Sequence, residues 1–136
     1  MVTALRLPKR HWQAMRRHVA RHVPLEACGL LAGRQGRVEA VLRVRNAAQS
    51  PVRFRMDARQ QLKAFEWIES RGLDLVGIFH SHPAGPETVS PTDLAESAYP
   101  VVNVIWFRHG KRWQARGFWI EAGQAAEVNL QVVEDQ

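Results

Sequence analysis

The sequence predicts an α/β fold, a mixed β-sheet flanked by helices, on two observations. Segments with apolar residues three or four apart alternate with short apolar runs bounded by glycine and proline, and the last third reads as consecutive strands. Helices of that kind bury their apolar stripe by lying on a sheet. The chain has 136 residues, which fits one domain spanning positions 1–136, and hydrophobic residues make up 46% against 24% charged. That balance is globular, with no repeat and no low-complexity tract.

Trp12, Met15, Val19 and Val23 recur along Lys9 to Val23 at the spacing of one buried helix face. His18 and His22 sit four apart on this helix. With no carboxylate beside them and no His-Glu-x-x-His pattern, they read, like His11, as surface histidines on a basic helix. Pro24 ends the helix. Ala27 to Ala32 is a short apolar run closed by Gly33, a buried strand turning at Arg34, Gln35 and Gly36 into a hairpin partner over Val38 to Val44. Asp57 and Gln60 form a capping-box type start, Leu62, Phe65 and Ile68 an apolar stripe, and Arg71-Gly72 a stop, so a second helix follows.

Leu73 to Phe79 is dominated by apolar residues and reads as a central strand that delivers His80 and His82 at its end. Ser90 and Pro91 are an N-cap and first helical position for a helix running to about Ala98, before Pro100. Val101 to Phe107 and Trp113 to Ile120 read as strands joined across His109 and Gly110, with Ala126 to Val133 as a last one. Trp106, Trp113 and Trp119 on these strands read as core or sheet-face residues.

The chemistry-bearing residues gather around the central strand. Side chains alternate along an extended chain, so His80 and His82 project to one side and Ser81 to the other. Asp93, in the first turn of the following helix, adds a carboxylate. Two imidazoles and one carboxylate leave the fourth position of a tetrahedral zinc open, which is the arrangement of a catalytic site. Zinc lowers the pKa of water to about 7, and hydrolysis then needs a group to carry the proton to the leaving amine. Glu26, entering the Ala27 to Ala32 strand, is the candidate. Ser90 is placed to donate to the developing oxyanion, an interaction worth roughly 3 kcal/mol in good geometry. Ser90 and Asp93 also form a capping box, and the two roles do not compete.

The pattern Glu26, His80-Ser81-His82-Pro83, seven residues, Ser90, two residues, Asp93 resembles the motif of the JAMM, or MPN-plus, metalloprotease family at every position. The segment Pro24 to Gly33, with Glu26, Cys28-Gly29 and Leu30-Leu31, is similar to the family's segment around its glutamate. The resemblance covers roughly residues 3 to 120. It implies a cytidine-deaminase-like fold and a zinc-dependent peptidase or isopeptidase acting at the C-terminal tail of a ubiquitin-like β-grasp protein. It also implies zinc on His80, His82 and Asp93, Glu26 as proton-shuttling base and Ser90 at the oxyanion. The chain is too short for the insertions by which eukaryotic members bind two linked ubiquitins. It therefore resembles a compact prokaryotic member, whose substrate is expected to be a small sulfur-carrier protein.

Other classes follow from what is absent. The alternative to an enzyme is a non-catalytic MPN-type module that binds a β-grasp protein, and the full donor set argues against it. The net charge of +6 is spread over scattered arginines, with no nucleic-acid-binding signature, so nucleic acid is not the expected partner. No apolar run reaches the roughly 18 residues of a membrane span, and Met1 to Arg10 lacks the core of a signal peptide, so the expectation is a cytoplasmic chain. Cys28 is the only cysteine, which excludes an internal disulfide. It lies within an apolar run and reads as buried packing. A homodimer is compatible with the sequence, although no residue pattern demands one.

Overall fold

The computed structural model describes residues 1–135. Its elements run β1 (Ala4–Pro8), α1 (Lys9–His22), β2 (Cys28–Arg34), β3 (Arg37–Val44), α2 (Ala58–Ser70), β4 (Asp74–His82), α3 (Pro91–Glu96), β5 (Val102–His109), β6 (Arg112–Glu121) and β7 (Gln124–Val133). Apart from β1, these are the expected elements, with ends moved by a few residues. Gln35 and Gly36 both take positive φ, 50° and 71°, as a two-residue hairpin turn requires. The Asp57 side chain caps α2 by accepting from Gln60 N, but Gln60 Oε1 accepts from Arg45 N instead of closing a capping box.

The strands form one mixed sheet in the order β1-β3-β2-β4-β5-β6-β7. The sheet closes into a barrel, which a mixed sheet with flanking helices did not anticipate. Closure depends on β1, which pairs in parallel with β7 from Ala4↔Asn129 to Pro8↔Val133. On its other side β1 meets β3 at Arg6↔Arg37, where Arg6 N donates to Gly36 O at 2.8 Å. The missed strand carried only a brief alternating signal, Leu5-Arg6-Leu7, yet both leucines are fully buried.

Strand alternation sends apolar residues to two separate cores. Leu31, Phe79, Val104 and Trp106 pack with Met15 and Val19 of α1. On the other face Cys28, Leu30, Val44 and Ile78 pack under Ala64 and Ile68 of α2. A smaller cluster of Ile105, Phe118 and Ile120 lies under Leu94 of α3. Trp106 is fully buried, while Trp113 and Trp119 are partly buried on the sheet, in line with the core reading of all three. His18 departs from expectation: it is buried, and its Nε2 lies 3.1 Å from Cys28 O. The reason is helical geometry, since position 18 shares the inward face with Met15 and Val19. No helix among the described residues is long and apolar enough to cross a membrane.

Candidate metal centre

β4 lies between β2, antiparallel, and β5, parallel, and its residues Gly77 to His82 are all buried. A strand hydrogen-bonded on both edges is a stiff mount for its side chains. His80 and His82 emerge on the face shared with α2 and α3. Ser81 points to the other face, where its Oγ accepts from Ala27 N at 2.8 Å and its own N donates to Ala27 O at 3.0 Å. These two bonds fasten the Glu26 segment to the strand that carries the histidines.

Asp93 is presented by the N-terminus of α3. Its N donates to Ser90 Oγ and Ser90 N donates to Asp93 Oδ2, each at 3.0 Å, completing the capping box. The carboxylate faces both imidazoles, with Oδ1 3.2 Å from His80 Nε2 and Oδ2 3.1 Å from His82 Nε2. The two Nε2 atoms are themselves 3.1 Å apart. Ligands about 2.0 Å from a tetrahedral zinc are separated by about 3.3 Å, so these three groups sit near the edges of one such tetrahedron. His82 Nδ1 donates to Pro86 O at 2.8 Å, so that in the neutral ring Nε2 carries the lone pair a metal needs. The His80 ring stacks on Phe54 at 4.5 Å, and its Nδ1 is buried without a partner.

Glu26 completes the cluster, with an oxygen lying within 4.8 Å of both histidine nitrogens. Its backbone is held on both sides: its N donates to Ser50 O at 2.9 Å, and its O accepts from Asn46 Nδ2 at 3.0 Å. The residue is 3% exposed and its Oε1 has no hydrogen-bond partner. An unpartnered buried carboxylate oxygen is costly, and a metal with its water would satisfy it. Asp93 lies 3.1–3.2 Å from the two histidine nitrogens, whereas no Glu26 oxygen lies within 4.0 Å of either among the described residues, although Glu26 too is near enough to join a metal with both.

The electrostatics follow from burial and mutual contact. Burial raises the Glu26 carboxyl to about 8, the nearby Asp93 charge adding to this and His82 opposing it. Burial also disfavours charge on Asp93, but hydrogen bonds from His80 and His82 overcome it and hold the carboxyl far below the usual range. His80 is lowered by burial despite Asp93. His82 is raised, because Asp93 and the Pro86 carbonyl outweigh its burial. Burial pushes the Cys28 thiol up to about 12, and its Sγ donates to Val44 O at 3.4 Å. That thiol is inert packing, as expected.

All five residues singled out in the sequence, Glu26, His80, His82, Ser90 and Asp93, therefore meet at one place. Three residues were not read as supports of the site: Ser81, expected only to project away from the histidines, Phe54 on the His80 ring and Asn46 behind Glu26. Only Ser81 carried a signal, its position between the histidines.

The profile describing prokaryotic homologs of the JAB domain matches residues 8–121. A desampylase of Pyrococcus furiosus is 40% identical over 111 residues, covering 79% of this chain and 76% of its own. A probable TtuB-protein conjugate cleaving protease of Thermus thermophilus is 38% identical over 130 residues, covering 95% of this chain and 83% of its own. Among solved structures, a Desulfitobacterium hafniense protein superimposes with a TM-score of 0.87 at 32% identity, covering 96% of this chain and 94% of that one. The chain belongs to the prokaryotic JAB-domain family, and it is a peptidase of the JAMM type.

Proposed function

We propose that the chain is a zinc peptidase or isopeptidase hydrolysing the bond that follows the C-terminal tail of a ubiquitin-like, sulfur-carrier-type β-grasp protein. The observation that carries this reading is the convergence of His80 Nε2, His82 Nε2 and the Asp93 carboxylate beside the unpartnered Glu26 Oε1. The Thermus relative, by its name, cleaves TtuB-protein conjugates, which supports a protein-conjugate substrate. The mixed sheet with α2 and α3 on one face supports a cytidine-deaminase-like arrangement, and residues 1–136 act as one domain. The absence of a membrane-crossing helix among the described residues is compatible with a cytoplasmic setting.

His80, His82 and Asp93 would hold the zinc. The ion supplies Lewis acidity, lowering the pKa of water to about 7. Glu26 takes the proton of the attacking water through its free oxygen and passes it to the leaving nitrogen as the C–N bond breaks. The high proton affinity that burial gives Glu26 suits the first transfer, and a zinc ion beside it would favour the ionised form that this transfer requires. Ser90 spends only its oxygen on the helix cap, so its hydroxyl hydrogen remains to donate to the oxyanion.

The test joins zinc content by elemental mass spectrometry with cleavage of a tailed β-grasp protein. Wild type is expected to hold about one zinc per chain. Glu26→Gln should keep it while losing cleavage by about 10²- to 10⁴-fold, and His82→Ala should lose both. Retained cleavage in Glu26→Gln would remove that residue from its role. A wild type without zinc after reconstitution would defeat the reading.

A further inference from the structure

A cavity of about 340 Å³ opens beside the metal centre, between the loop following β3 and helix α3. His80 and Asp93 form part of its wall, whereas His82 and Glu26 do not. Its remaining walls include the apolar side chains of Phe54, Met56, Ile78 and Tyr99. The volume is within the range of about 300–1,000 Å³ typical of ligand pockets. Arg53 and Glu96, from opposite walls, approach to 3.5 Å as a half-exposed ion pair. Arg55, also on the wall, has no carboxylate within 4.0 Å among the described residues, and the two arginines balance the two carboxylates of the lining, Asp93 and Glu96.

The chemistry determines which part of a substrate can lie here. The leaving nitrogen must come within reach of Glu26 to receive its proton, so the leaving side of the scissile bond belongs near Glu26. The cavity touches the centre only through His80 and Asp93, and so adjoins the acyl side. An apolar chamber rewards a large apolar side chain, whereas a lysine or arginine would have to give up hydration of its charge to enter it.

We infer that this cavity is a specificity pocket that receives one large apolar side chain from the tail of the substrate, on the acyl side of the cleaved bond. The inference rests on the peptidase reading and adds to it a selected residue type. Burial of a leucine side chain in such a pocket corresponds to about tenfold or more in kcat/KM.

The experiment uses zinc-loaded full-length chain and a β-grasp carrier protein extended by one residue beyond its tail. Each of the four residues before the cleaved bond is replaced in turn by Gly, Leu or Lys. In wild type, one position should favour Leu over both Gly and Lys by about tenfold or more. Ala98→Trp fills the cavity from an exposed wall position in the segment after α3. It should reduce that preference to within about twofold while leaving kcat on the Gly tail and the zinc content unchanged. Met56→Trp fills it from the facing loop and serves if Ala98→Trp does not fold. Cleavage with no Leu preference at any position, or with a preference that survives filling, overturns the pocket and leaves the peptidase intact. No cleavage of any tail by wild type overturns both.

Discussion

Asn46 uses both ends of its amide within one short loop. Its Nδ2 donates to Glu26 O and Arg53 O, at 3.0 and 3.1 Å, and its Oδ1 accepts from Ala48 N and Arg55 N, each at 3.0 Å. One side chain thus ties the backbone of Glu26 to the loop that lays Phe54 on His80. Asn46→Asp would set a carboxylate oxygen against two carbonyl oxygens, leaving the acceptor half intact. We expect a stability loss of about 1–3 kcal/mol by denaturant titration, and faster zinc loss to a chelator. Ser90 permits a sharper separation of roles. Ser90→Ala should cost about 1 kcal/mol as a lost cap, yet lower kcat by about 10²- to 10³-fold if its hydroxyl serves the oxyanion. A kcat that changes no more than the cap accounts for would return Ser90 to a structural role. At this scale the candidate ligands were legible because their spacing is short and their chemistry is specific. Asn46 was not, because an asparagine between a strand and a turn is common and its partners are 20 residues away at Glu26 and seven at Arg53.

Among the elements, α1 contributes more than its apolar stripe. Burial, reinforced by neighbouring His22, lowers His18 from 6.5 to about 4. As pH falls, the unfolded chain protonates this residue before the folded one does. Stability from the neutral His18 should therefore be complete above about pH 6.5, decline on acidification, and level off below about pH 4. Urea midpoints across that range for wild type and His18→Gln would show it as a shallower acid decline in the variant. β2 has its own constraint at Gly29, which faces Phe79 across the β2–β4 ladder. A Cβ there would overlap the Phe79 ring and the Leu42 carbonyl. Gly29→Ala should destabilise by about 1–3 kcal/mol through overpacking, read as a lower thermal midpoint. The Cys-Gly pair was visible in the sequence, but its reason was not, because the ring that fills the space is 50 residues further on at Phe79. Capping signals show the same division. Ser90 and Asp93 close both bonds of their box, whereas Gln60 is drawn to the backbone of Arg45, just beyond the end of β3.

For the molecule as a whole, barrel closure hangs on five residues, Ala4–Pro8. Without them β7 would lose its parallel partner and β3 its thin seam, leaving two unpaired edges. A chain beginning at Lys9 should show faster amide exchange in β7 and a greater tendency to aggregate, with α2 and β4 less affected; unchanged β7 protection would show that closure is dispensable. The sequence by itself determined the reaction class, the residues expected at the metal centre and most of the elements. Those depend on side-chain chemistry, on the two-residue period that aims His80 and His82 together, and on caps a few residues long. Only the tertiary structure decided that the sheet closes, that His18 is buried, that Asn46 holds Glu26, and that a cavity opens beside His80 and Asp93. Closure, the Asn46 bonds and the cavity are relations between residues distant in the chain, set by how helices and strands pack, and no local pattern encodes them. His18 shares a helix face with Met15 and Val19, but only packing against β2 shows how deeply that face is covered.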